Sequence, residues 1–181
     1  MNRAPIIILL SVSLHGCGVG DAAPAGPDGN MLDADAQIVP TTGQTATGEA
    51  DLEPDPATGS ITATIEIEDA PPGLHGVHIH EFGNCGHDAM DAGGHWNPGG
   101  YEHGIPGDSP SHLGDLGNMT VADDGTGSLI YSNPGWTLED GSETDVIGKA
   151  IVFHELVDDF GQPTGNAGAR IACGVINEDP D

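Results

Sequence analysis

The chain has 181 residues, of which 29 are Asp or Glu and only 3 are Lys or Arg, for a formal charge of −26. That balance excludes binding to nucleic acid or anionic lipid headgroups by charge, since both need basic side chains to meet phosphates. An acidic excess of this size keeps a protein soluble through repulsion and suits a saline medium.

Read from the start, Met1-Asn-Arg3 is a short positive opening, and Ile6 to Leu14 is a brief apolar run. A bilayer needs about twenty apolar residues, so residues 1–16 read as a secretory signal rather than a span. Leu14-His-Gly-Cys17 resembles a bacterial lipoprotein box, in which Cys17 becomes the acylated first residue. Residues 17–33, rich in Gly, Ala, Pro and Asp, then form a flexible tether. The expected location is outside the cytoplasm, in the periplasm or cell envelope, with lipid on Cys17 as the membrane attachment. A single domain is expected over residues 34–177, followed by an acidic tail at 178–181.

Within that domain, Ser60-Ile-Thr-Ala-Thr-Ile-Glu-Ile-Glu68 alternates as a half-buried strand does, and Lys149-Ala-Ile-Val-Phe-His154 reads as a more buried one. With 29 glycines, 14 prolines and no convincing amphipathic helix, the composition favours an all-β sandwich. Asp123-Asp-Gly125 and Glu139-Asp-Gly141 are turn signals, and neither has the ligand spacing of an EF-hand.

Six of the nine histidines fall at positions suited to metal ligation. His78 and His80, in Gly73-Leu-His-Gly-Val-His-Ile-His-Glu81, are two apart, so on a strand they share a face about 6.6 Å apart. His95, His103, His112, Asp115 and His154 follow. Imidazole suits zinc, copper, iron or nickel, and a carboxylate beside three imidazoles suits tetrahedral zinc. The donor count suggests two ions. His103, His112 and Asp115 lie close enough in sequence to form one site, while His78, His80 and His154 come from separated strand-like stretches. His95 lies between them and could serve both. Zinc hydrolysis fits poorly, because H-x-H is a strand spacing and the helical H-E-x-x-H signature is absent.

Four motifs, Gly-Val-His-Ile-His-Glu-Phe-Gly (76 to 83), Gly-Gly-His-Trp-Asn-Pro (93 to 98), His-Leu-Gly-Asp-Leu-Gly-Asn (112 to 118) and Thr-Gly-Asn-Ala-Gly-Ala-Arg-Ile-Ala-Cys-Gly-Val-Ile (164 to 176), stand in order. On these motifs the chain resembles the copper/zinc superoxide dismutase family. The resemblance implies an eight-stranded Greek-key β-barrel with long metal-binding and active-site loops. It implies copper on His78, His80, His95 and His154, and zinc on His95, His103, His112 and Asp115, with His95 bridging the two. Arg170 would guide and bind superoxide, and His95 would carry a proton. Asp158 would link a copper histidine to a zinc histidine. Cys85 and Cys173 would form a disulfide. His87 has no implied role. A homodimer is compatible with the family, whose members occur as monomers and dimers. The implied activity is disproportionation of superoxide to dioxygen and hydrogen peroxide, and the alternative is a copper-binding lipoprotein of the same fold without turnover. Between Asp159 and Thr164 stand only Phe-Gly-Gln-Pro, where many family members carry a longer loop with charged residues that steer substrate.

Overall fold

The computed structural model describes residues 32–108 and 110–179; the signal, Cys17 and nearly all of the tether lie outside the described residues, as does the end of the tail. Nine strands are present among them: β1 (Ala34–Pro40), β2 (Thr47–Pro54), β3 (Ile61–Glu68), β4 (Gly73–His80), β5 (Asp115–Val121), β6 (Gly127–Asn133), β7 (Ala150–His154), β8 (Arg170–Val175) and β9 (Asn177–Glu178). Their order is β2-β3-β6-β5-β4-β7-β8-β1-β9, and pairing of β1 with β2 closes the first eight strands into an antiparallel barrel. The connections from β3 to β4 and from β6 to β7 each skip two strands, which is the Greek-key feature. β9 adds two residues beside Ala34 and Asp35, so the acidic tail begins as part of the sheet.

Period-2 patterning explains the wall. In β3, Ile61, Ala63, Ile65 and Ile67 are buried in the barrel, while Glu66 and Glu68 are exposed. Val77 and Ile79 of β4 and Ile151 and Phe153 of β7 enter the same core. Because alternate residues point the other way, His78 and His80 lie on the outside of that wall. They are buried nonetheless, since the long connections over residues 81–114 and 155–169 cover this side. Trp136, in the connection after β6, is fully buried and donates its indole N–H to Leu113 O at 3.0 Å, which pins the chain just after His112.

The carboxylates of the strands, Asp115 apart, lie on β1, β2, β3 and β9. Asp35 stands directly opposite Asp51, and Glu49 opposite Glu66. Like charges across a strand pair destabilise it by up to about 1 kcal/mol each. β1, β2 and β3 thus bear this repulsion, while β5, β4, β7 and β8 support the histidines.

A disulfide joins Cys85 to Cys173 across a sequence separation of 88. It ties the connection after β4 to β8 and packs against Ala89, Ala92, Ala150 and Val152. Closing so long a loop stabilises the fold by about 4 to 5 kcal/mol in the chain-entropy model. Cys173→Ser is therefore expected to lower the urea midpoint to that of the reduced wild type. An unchanged midpoint would show that the bridge contributes nothing.

Candidate metal centre

Two bulges set the register at the site. Gly76 pairs with Asn118 but His78 pairs with Asp115, so Leu116 and Gly117 of β5 oppose Val77 alone. Gly117 has φ 81°, a conformation open to glycine, and the extra residue brings Asp115 beside His78. A second shift, between Phe153 and His154, places Arg170 opposite His154. His95 is held against β4 by a bridge to His80 and by Trp96 N–H donating to Ile79 O at 2.9 Å.

Two sets of donor atoms result, each within 4.8 Å of one another: His78, His80, His95 and His154 in the first, and His78, His95, His103 and Asp115 in the second. His112 joins the second, its Nδ1 lying 3.2 Å from Asp115 Oδ1 and 3.4 Å from His95 Nδ1. All seven residues singled out from the sequence are thus brought together. His87 is apart, exposed and paired with Asp91 at 2.8 Å.

Hydrogen bonds decide which nitrogen each ring presents. His78 has Nε2 on Asp158 Oδ2 at 2.9 Å, His80 has Nδ1 on Gly93 O at 3.0 Å, and His154 turns Nδ1 toward Gly168 O at 3.5 Å. What remains is Nδ1 of His78 and Nε2 of His80 and His154, the last two 3.4 Å apart. Nδ1 of His78 is buried and has no hydrogen-bond partner among the described residues. Such an atom costs about 1–3 kcal/mol unless something binds it, which is what a metal ligand requires. Its Nε2 being committed to Asp158, His78 offers its other nitrogen to the first set, and His112 completes the second. In that second set Nδ1 of His95 and of His103 each lie 3.0 Å from Asp115 Oδ1. Three imidazole nitrogens converging on one carboxylate oxygen are a donor set for a cation.

Burial favours the neutral form of His78, His80 and His154. It lowers His78 to about 4, against the pull of Asp158, and lowers His80 to about 2 with help from Arg170. It lowers His154 to about 3, aided by neighbouring His78. Neutral imidazole is the form that ligates. Burial pushes the Asp158 carboxyl up, but hydrogen bonds from His78, His103 and the Phe160 N–H outweigh it and hold the group at about 2. Asp158 reaches both sets, through Oδ2 to His78 and through Oδ1 to His103 Nε2, each at 2.9 Å. Gly165 leaves room for it, since a Cβ there would collide with this carboxylate.

Sequence reasoning passed over three supports. Asn118 grips the Asp158 backbone, accepting its N–H at 2.7 Å and donating to its carbonyl at 2.9 Å. His75, on the inner face, sets Nδ1 2.8 Å from His154 O and Nε2 2.8 Å from Pro71 O. Gln162 contacts the backbone of His103. Each makes a contact between residues far apart in the chain, and only the position of Asn118 inside a quoted motif and of His75 just before one hinted at them.

An opening lined by His80, His95, His154, Thr164, Asn166 and Arg170 leads from solvent to the first set. Arg170 is half-buried, donating Nη1–H to Ala89 O and Nη2–H to Gly93 O at 2.6 Å. Gly93 O thus holds both the arginine and His80. The family model described as copper/zinc superoxide dismutase (SODC) matches residues 46–176.

Proposed function

The chain belongs to the copper/zinc superoxide dismutase family, and from that premise we propose that it disproportionates superoxide, with copper on His78, His80, His95 and His154 and zinc on His95, His103, His112 and Asp115. Copper would supply one-electron chemistry, taking an electron from one superoxide and giving it to the next, while zinc supplies a redox-inert charge. The observation that carries the reading is Arg170 opening onto the same cavity as the first donor set. In that role Arg170 attracts and binds the anion, and the carbonyls of Ala89 and Gly93 fix its guanidinium. His95 turns Nδ1 to Asp115, which leaves Nε2 on the open side as the atom that takes up a proton and delivers it toward peroxide. Asp158 keeps His78 and His103 in the tautomers that ligation needs. Two superoxide ions and two protons thereby become dioxygen and hydrogen peroxide.

We also place the protein outside the cytoplasm, attached to a membrane by lipid on Cys17. The signal-like start and the Cys85–Cys173 disulfide support this, since such bonds persist in oxidising compartments.

A formal charge of −26 repels an anionic substrate, and the short Phe160-Gly-Gln-Pro163 segment has no lysine to oppose it. Consumption of superoxide by the copper- and zinc-loaded protein should be fast, copper-dependent, and level or rising as salt goes from about 0.01 to 0.2 M, because screening weakens the repulsion. A steep fall would mean attractive steering. Stoichiometric copper without turnover would instead favour a copper-binding protein of the same fold.

A further inference from the structure

We propose that Gln162 is a positioning residue for the zinc ligand His103, so that the short segment between Asp158 and Thr164 clamps the zinc side of the centre. The inference rests on the zinc assignment above. His103 lies in coil within the long connection between β4 and β5, where no strand partner fixes its main chain. Gln162 supplies one. Its Oε1 accepts the His103 N–H at 3.1 Å, and its Nε2 donates to the His103 carbonyl at 2.7 Å. A primary amide presents acceptor and donor side by side, as a peptide group does, and so can pair with both backbone groups of one residue. A lysine or glutamate could satisfy only one.

The rest of the segment grips the same residue. Asp158 Oδ1 accepts from His103 Nε2, and Phe160 stacks over the ring with centroids 6.4 Å apart and planes 20° apart. On the far side, Asp115 Oδ2 accepts the N–H of Gly104 at 3.1 Å. His103 is therefore held at its main chain, ring edge and ring face by protein contacts. Ordering a coil residue costs about 1–2 kcal/mol of backbone entropy, and the clamp meets that cost in advance. Thr164, two residues after Gln162, lines the opening, so the zinc ligand and the channel wall are tied to one segment.

The test uses the full chain, metal-free, as wild type, Gln162→Met and Gln162→Glu. Zn2+ and Cu2+ are titrated separately against a chromophoric chelator, and the metal-free melting temperature is recorded. Gln162→Met, similar in size but without the amide, should bind Zn2+ about 10- to 100-fold more weakly, the usual cost of losing a partner that orients a ligand. Cu2+ affinity should be unchanged. Gln162→Glu keeps the acceptor and loses the donor, so it should fall between. Unchanged Zn2+ affinity in Gln162→Met, beside a wild type that binds Zn2+, overturns this inference and spares the zinc assignment. Equal weakening for Zn2+ and Cu2+ with a lower metal-free melting temperature also overturns it, since that is general loosening. A wild type that binds no Zn2+ overturns both.

Discussion

Replacing His154 with alanine is expected to reduce superoxide turnover by more than about 100-fold, because losing even a partner that only orients a ligand costs about 10- to 100-fold in metal affinity or activity. In the proposed copper set, His154 Nε2 faces His80 Nε2 at 3.4 Å, and among the described residues that donor set holds only His78, His80, His95 and His154. The second donor set does not include His154, so zinc content should stay near one per chain. The fold should also survive, since His75 bonds to the backbone carbonyl of residue 154, which alanine keeps. Metal analysis alongside the superoxide assay checks this. Full activity with one copper per chain would remove His154 from the centre.

Asp158→Ala is expected to weaken both ions at once. The wild-type carboxylate is buried, with one oxygen on His78 and the other on His103. Its removal leaves two buried Nε2 atoms without partners, each costing about 1–3 kcal/mol, and frees both rings to turn. Copper and zinc affinities should each fall about 10- to 100-fold. The segment that follows also loosens, because the Phe160 N–H loses its acceptor. Chelator competition run separately for the two ions distinguishes the outcomes. Weakening at only one site would mean that Asp158 serves one ring and that the two sites are independent.

The acidic surface makes sense beside these expectations. Asp35 against Asp51 and Glu49 against Glu66 lie on β1, β2 and β3, none of which pairs with the histidine-bearing β4 or β7. Lys149 stands over the Trp96 ring at 5.5 Å, which leaves Arg170 as the basic group at the opening. The substrate would therefore meet a repelling body with a local exception, which is why the salt series reports on the site rather than on the fold.

The sequence alone determined which residues have the chemistry and how the wall is built. Ile61, Ala63, Ile65 and Ile67 alternate with half-buried and exposed residues, and H-x-H needs only the two-residue repeat of a strand. Period is a local property, so it can be read locally. The family resemblance supplied the rest of the candidate donors and the Cys85–Cys173 pairing, and the structure contains that disulfide.

Only the tertiary structure decided how those residues meet. The bulge at Gly117 puts Asp115 beside His78, and the one before His154 sets Arg170 across from it; a register shift leaves no sign in hydrophobic periodicity. Which nitrogen of each imidazole stays free depends on distant carbonyls and on Asp158. The grips of Asn118 on Asp158, of His75 on His154 and of Gln162 on His103 join residues far apart in the chain. Such contacts form where the folded backbone brings a donor to an acceptor, and no local pattern encodes that meeting.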